Sequence, residues 1–132
     1  MHPMDARVDP DRFEVTSVVP ILRMYDVAAT VRFYTGFLGC TLDWQEGEGD
    51  RPVYLQVSRG GLRLQLSSHH DDGTPGTAVL VVVNGIEALH AELHASGYPY
   101  MYPGLDPGPG NGRQVQVIDP ASNRIRFYEP AA

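Results

Sequence analysis

The sequence predicts an α+β fold built from two tandem βαβββ modules. Residues 16–69 and residues 77–130 each show a strand pattern, then a helix pattern, then strands that end in a hairpin. Each module has roughly 50 residues and is too small to bury a sheet face well alone, so we expect both to pack as one domain over residues 16–132. Residues 70–76, rich in Gly and Pro, are the expected linker.

Module one opens with the β-branched run at 16–24, which predicts a strand in which Pro20 marks an edge or a bulge. Residues 26–39 predict a helix, with Asp26 as its N-cap and Gly39 just past its end. The apolar stripe of this helix is Val27, Val31, Tyr34 and Leu38.

A short strand, "CTLDW" at 40–44, follows the helix. Residues 52–68 alternate between apolar and polar on both sides of Gly60-Gly61, which predicts a hairpin with a tight turn.

Module two repeats this plan. Residues 77–83 predict an apolar strand, and residues 86–97 predict a helix that stops at Gly97. After a loop or short strand around "YPYMY", residues 113–129 predict a second hairpin. The apolar stripe of the helix is Ile86, Leu89 and Leu93.

Alternation gives each predicted hairpin one apolar face, which packs on the helices, and one polar face. The polar residues are Tyr54, Gln56, Arg63 and Gln65 in module one, and Gln114, Gln116, Arg124, Arg126 and Tyr128 in module two. Such a face either meets solvent, as is common for antiparallel sheets, or lines a ligand cavity.

Composition narrows the function classes. With 10 Lys+Arg against 16 Asp+Glu, the net charge of -6 argues against nucleic-acid binding. No run has the length of a membrane span or of a signal-peptide core, so we expect a cytoplasmic protein with no membrane partner. The single cysteine, Cys40, is expected to be a buried structural thiol, and residues 1–15 a loose N-terminal arm.

Two histidine pairs are possible metal ligands. His69 and His70 precede two aspartates, but neighbouring strand residues point to opposite faces, so we expect at most His69 or His70 at a cavity rim. His90 and His94 have the i, i+4 spacing of a zinc site, but "HAELH" lacks the glutamate directly after the first histidine that zinc proteases use.

The Gly-rich run at 103–112 lacks the lysine of a phosphate loop and is expected to be a mobile lid or a connector.

The helix "DVAATVRFYTGFLG" and the closing hairpin "VIDPASNRIRFYE" together resemble the vicinal oxygen chelate superfamily, which includes glyoxalase I, the extradiol dioxygenases and the bleomycin resistance proteins. The resemblance covers about residues 16–130. It implies curled sheets that face each other around a cavity, outer helices, and commonly a dimer, which is sometimes domain-swapped.

The resemblance also implies four positions at which the enzymes of this group hold a divalent cation with His, Gln or Glu. Alignment of the two motifs places them at Val19, Gln65, Ala78 and Arg126. Only Gln65 can coordinate a metal, and Arg126 would put a cation where the metal's charge belongs. We therefore predict no metal ligand, no cofactor and no catalytic residue.

Three functions remain open. The first is a non-enzymatic binder of the bleomycin resistance type, which sequesters an antibiotic or metabolite as a homodimer; the local charge of Arg63 and Arg126 would suit a carboxylate or phosphate better than a polycation. The second is a metal-dependent glyoxalase-like lyase, isomerase or dioxygenase, and the third is an interaction module. The predicted ligand-binding residues are Trp44, Tyr54, Gln56, Arg63, Gln65, His69, Gln114, Gln116, Arg126 and Tyr128.

Overall fold

A computed structural model describes residues 10–132. Most of the predicted N-terminal arm lies outside the described residues, and residues 10–15 are exposed. Module one contains β1 (Ile21–Arg23), α1 (Val27–Val31) continued by a π-helix (Arg32–Phe37), β2 (Thr41–Glu46), β3 (Tyr54–Arg59) and β4 (Leu62–Ser67). Module two contains β5 (Ala78–Val82), α2 (Ile86–Ala95), β6 (Asp106–Pro107), a 3₁₀ turn (Pro109–Asn111), β7 (Arg113–Ile118) and β8 (Arg124–Glu129).

The strands form two sheets of the same design. One has the order β1-β4-β3-β2 and the other β5-β8-β7-β6. In each sheet the first strand of the module pairs in parallel with the last, and the remaining pairs are antiparallel. The predicted α+β fold of two tandem βαβββ modules is confirmed.

The first strand is shorter than the predicted run at 16–24. Pro20 has no N–H to donate, so the ladder of β1 begins only at Ile21. The carbonyl of Pro20 still accepts a hydrogen bond of 3.0 Å from the backbone N–H of Gln65.

The first helix begins as predicted, because the Asp26 carboxylate accepts a hydrogen bond of 2.9 Å from the Ala29 N–H. From Arg32 it widens to a π-helix, in which the Leu38 N–H donates to the Phe33 carbonyl at 3.0 Å. Of the predicted stripe, Tyr34 and Leu38 are fully buried, and Val27 and Val31 are half-buried and pack against the core. The fully buried residues are Thr30, Phe33, Tyr34, Phe37 and Leu38.

The core lies between the sheets and the helices, and residues of both modules contribute to it. The alternate apolar residues of the central strands are buried in the sequence-predicted register. They are Leu55, Val57, Leu64 and Leu66 in module one, and Val115, Val117, Ile125 and Phe127 in module two.

The turn between β7 and β8 fastens module two to module one. Buried Asp119 accepts hydrogen bonds from the Asn123 side chain (3.0 Å) and from the Tyr34 hydroxyl of the π-helix (2.7 Å). The Asn123 amide also donates to the backbone carbonyl of Arg23 at 2.8 Å. This polar cluster is enclosed by the apolar core, so its geometry fixes how the modules dock.

Candidate ligand-binding site

The polar face of the first sheet carries a chain of hydrogen bonds. The Tyr54 hydroxyl donates to Gln65 Oε1 at 2.5 Å, and Gln65 Nε2 donates to Gln56 Oε1 at 2.9 Å. All three side chains are half-buried on β3 and β4, as alternation predicts. These hydrogen bonds fix the three side chains relative to one another on the polar face.

An aromatic pair extends this face to the edge strand. Trp44 on β2 stacks on Tyr54, with ring centroids 5.7 Å apart and an angle of 8° between the planes. Trp44 remains 38% exposed. An exposed indole on a stacked pair offers a flat surface for a planar ligand group.

A β-bulge between Leu42 and Trp44 adds a carboxylate that sequence alternation missed. Because of the extra residue, Asp43 reaches the same face as Trp44, where it accepts hydrogen bonds from Gln56 (3.0 Å) and Ser58 (2.9 Å). These hydrogen bonds, with a smaller contribution from Arg63, lower the pKa of Asp43, so the face carries a negative charge at neutral pH.

The four residues from His69 to Asp72 differ in their positions and contacts, and they do not form a common site. His69 lies at the rim of the face, with its ring edge toward Tyr54 at 6.3 Å. Asp72 turns inward and accepts a hydrogen bond of 2.8 Å from Ser67, whereas His70 and Asp71 are exposed. Within residues 10–132, no three His, Cys, Asp or Glu side chains converge as metal ligands.

The polar face of the second sheet centres on Arg126. Its Nε and Nη2 atoms donate to Gln116 Oε1 at 3.1 and 3.0 Å. On the neighbouring strand β5, Leu80 and Val82 share this face and are 60% and 64% exposed. The face thus combines one guanidinium with exposed apolar side chains.

The Gly-rich run, expected to be a mobile lid or a connector, lies against Tyr128. The Tyr128 hydroxyl donates to the Pro109 carbonyl at 2.5 Å, and Gly108 and Gly112 lie directly against its ring. Gln114 is half-buried beside it, paired in register with Tyr128. We call residues 107–112 the glycine strap.

The four expected metal positions are not direct partners in the strand register. The residue aligned with Gln65 is Ile21, whereas Val19 precedes β1. The residue aligned with Arg126 is Leu80, whereas Ala78 aligns with Arg124. Residues two apart on a strand share a face, so Ala78 and Leu80 both lie on the face of Arg126.

The expected set contains one possible metal donor, Gln65, because the side chains of Val19 and Ala78 are apolar. Ile21 and Leu80 have no coordinating atom, and the guanidinium of Arg126 is a permanent cation. These residues do not fit a divalent cation, which needs several oxygen or nitrogen donors.

An open groove of about 820 Å³ lies where the two modules meet, and Leu80 and Val82 of the second face also line it. It runs between the Gly60-Gly61 turn of module one and β5 with the start of α2 in module two. Of the predicted ligand-binding residues only Arg63 lines it. Its walls include Pro20, Leu38, Val81 and Leu89.

The other singled-out residues have structural contacts. The rings of His90 and His94 lie 4.0 Å apart at a tilt of 45°. The His94 ring also packs on Tyr102 at 3.7 Å, and its Nε2 is 2.6 Å from the Pro103 carbonyl. This packing holds the loop after α2 against the helix.

Cys40 is buried, and burial raises the pKa of its thiol to about 11. A thiol with such a pKa is a poor nucleophile at neutral pH.

No helix in the described part of the chain is long and apolar enough to span a membrane.

The sequence model of the protein family described as "Glyoxalase superfamily protein" matches residues 8–132. The chain belongs to the glyoxalase superfamily. None of the curated proteins matches it in sequence.

Solved structures share the fold of this glyoxalase superfamily protein. A bleomycin-binding protein from bleomycin-producing Streptomyces verticillus, complexed with copper(II)-bleomycin, is 28% identical, with 92% of this chain and 100% of that chain covered and a TM-score of 0.67. An antibiotic binding protein from Streptomyces sp. CB03234 is 23% identical, with coverage of 91% and 100% and a TM-score of 0.66. A glyoxalase-related enzyme from Clostridium phytofermentans is 16% identical, with coverage of 92% and 99% and a TM-score of 0.69.

Proposed function

We propose that this protein binds and sequesters a small molecule, an antibiotic or a metabolite, without transforming it. The observation that carries the proposal is the scarcity of metal donors at the expected positions. Of Val19, Gln65, Ala78 and Arg126, only Gln65 can coordinate a metal, and the register partners Ile21 and Leu80 add no donor. The surrounding faces are otherwise suited to holding a ligand.

The two faces offer complementary contacts to such a ligand. The open indole of Trp44 can stack on a planar group, and Asp43 beside it can pair with a positive charge. Gln56, Gln65 and Gln116 can donate or accept hydrogen bonds. The predicted ligand-binding residues Tyr54, His69, Gln114 and Tyr128 border the same two faces.

We further propose that the protein acts as a homodimer, in which the polar faces of two copies enclose the ligand. Support comes from Leu80 and Val82, which are more than half exposed on a strand with one free edge. Exposed apolar side chains beside a free strand edge favour burial in an interface with another chain. The 28% identity to a bleomycin-binding protein over nearly the whole chain supports an antibiotic as ligand.

The test is a titration with metal-free bleomycin, followed through Trp44, the only tryptophan. We expect saturable quenching and, by calorimetry, at least a tenfold loss of affinity in Trp44→Ala, about 1.4 kcal/mol. Tyr100→Ala, which removes an exposed aromatic outside the two faces, is the matched control and should bind like the wild type.

Metal content and mass in solution complete the test. Stoichiometric divalent metal in protein purified without chelator would overturn the binder and favour a metal-dependent lyase, isomerase or dioxygenase. If Trp44→Ala and the wild type bind bleomycin with equal affinity, the face around Trp44 is not the binding site. A monomer by sedimentation in the presence of ligand would refute the dimer.

A further inference from the structure

Arg126 is half-buried, whereas the other arginines of residues 10–132 without an ion pair or a backbone contact are exposed. Arg59 pairs with Glu92, Arg113 pairs with Glu87, and Arg23 donates to backbone carbonyls of the linker. Arg126 is half-buried, and in residues 10–132 it forms no ion pair with a carboxylate. Its only described hydrogen bonds go to the neutral amide of Gln116.

The geometry of those hydrogen bonds leaves one edge of the guanidinium open. Gln116 Oε1 occupies the edge formed by Nε and Nη2. The other edge, formed by Nη1 and the second proton of Nη2, makes no hydrogen bond in the described structure. That edge is a fork of two parallel N–H groups, whose spacing matches the two oxygens of a carboxylate or phosphate.

The surroundings of Arg126 favour the binding of an anion to its guanidinium. Arg126 lies on β8, the second strand of its sheet, with Leu80 aligned on one side and Gln116 on the other. Val82 and Tyr128 follow two residues further along these strands on the same face. A partly desolvated cation among apolar groups is costly when unpaired, and a charge-assisted bidentate pair is strong there.

We propose that Arg126 is an anion-binding residue, and that the ligand carries a carboxylate or a phosphate on an apolar or aromatic body. The anion meets the open guanidinium edge, Gln116 fixes the plane of the guanidinium, and Leu80 and Val82 contact the apolar body. This inference rests on the proposed function, because it names the ligand chemistry of one of the two proposed faces.

The strand supplies a matched control. Arg124 is two residues before Arg126, so its side chain shares the face, but it is exposed at the end of the strand. Arg126→Gln and Arg124→Gln therefore remove the same charge from the same strand and face. Arg126→Lys keeps the charge at the site but removes the fork.

The experiment measures binding of 2-naphthoate, 2-naphthyl phosphate and the neutral 2-naphthamide by calorimetry, with thermal melts to check folding. We expect the wild type to bind at least one of the anions at least tenfold more tightly than the amide; which anion it prefers identifies the group. Arg126→Gln should erase this preference, Arg126→Lys should reduce it, and Arg124→Gln should keep it within about twofold.

Three results would overturn the inference: neither anion binds the wild type at millimolar concentration, the amide binds as tightly as both anions, or Arg124→Gln and Arg126→Gln lose the same affinity. The bleomycin titration is run on the same proteins. If naphthyl anions bind through Arg126 but bleomycin does not bind, antibiotic sequestration fails and the anion site stands. If bleomycin binds but the naphthyl anions do not bind through Arg126, only the anion site is refuted.

Discussion

The hydroxyl of Tyr34 donates a hydrogen bond of 2.7 Å to the carboxylate of Asp119, and so joins the π-helix of module one to the last hairpin turn of module two. Both residues are buried. The contact is one of the few polar links through an interior that is otherwise apolar.

Replacement Tyr34→Phe should lower the free energy of unfolding by about 1–3 kcal/mol, because a buried carboxylate loses a hydrogen-bond donor while the aromatic packing is kept. Urea denaturation at pH 7 measures this loss. Tyr100→Phe, at an exposed ring, is the control and should change stability little. A loss of equal size in both variants would show that the Asp119 contact is not the cause.

The same tyrosine makes stability depend on alkaline pH. Burial, reinforced by Asp119, raises the pKa of Tyr34 well above its usual value. The folded protein therefore holds the proton to higher pH than the unfolded chain, so this contribution is intact below about pH 10 and is lost as the pH rises above it. The Cys40 thiol, with a pKa raised to about 11, acts in the same direction over a lower range of pH.

Unfolding measured from pH 8 to pH 11 should accordingly show a falling stability in the wild type. Tyr34→Phe should show a shallower fall above about pH 10, and Tyr34→Phe combined with Cys40→Ala a shallower one still. Identical slopes for the wild type and the double variant would contradict the assignment.

The glycine strap has no space for a side chain at Gly112. A Cβ there would lie 2.5 Å from the hydroxyl oxygen of Tyr128 and 2.6 Å from two atoms of its ring. Gly112→Ala should therefore cost about 1–3 kcal/mol of stability or displace the strap. Gly61→Ala, where a Cβ meets open space, is the control.

A second substitution at Tyr128 distinguishes a clash with its ring from a general effect of alanine at position 112. With Tyr128→Ala in the background, Gly112→Ala should cost much less, which thermal melts of the four proteins can show. A cost that is unchanged in this background would mean that the strap does not rest on the Tyr128 ring.

A surface ion pair also links the modules. Arg59 meets Glu92 in a two-point contact, with N–O distances of 2.7 and 2.8 Å and side chains 43% and 44% exposed. Solvent screens such a pair, so Glu92→Gln should lower stability by at most about 1 kcal/mol, and by less in 1 M salt. Glu87→Gln, which breaks a more exposed pair with Arg113, should cost less at low salt.

The acid limb of the pH profile tests the same pair. The hydrogen bond from Arg59 lowers the pKa of Glu92, so its contribution is present above the usual glutamate pKa of about 4.3 and disappears as the pH falls below it. The stability difference between the wild type and Glu92→Gln should therefore narrow toward pH 3. A constant difference would refute the ion pair as its cause.

Much of the architecture follows from periodicity in the sequence. Alternation in the hairpins placed Val57, Val117 and their neighbours in the core and the Gln, Arg and Tyr residues on the opposite faces, because the hydrophobic effect acts on that pattern. Asp26 and Gly39 marked the limits of the first helical segment through local chemistry that does not depend on the rest of the fold.

The parts that the sequence did not predict depend on contacts between distant segments. The start of β1 is decided by which residue pairs with Gln65, and a motif in a helix does not reveal that register. The π-helix buries Phe33 and Phe37 in addition to the predicted Tyr34, and the spacing of apolar residues does not indicate a π-helix. Asp43 was overlooked because strict alternation assigns it and Trp44 to opposite faces.

The bulge at Asp43 has a consequence for how proteins of this shape diversify. Loss of a single codon from β2 would restore strict alternation, so that either the carboxylate or the indole would leave the polar face while the core stays as it is. The edge strand is exposed along its whole length and tolerates such a change better than a central strand. Ligand preference can therefore change by insertion and deletion, a route that comparisons of aligned residue identities do not register.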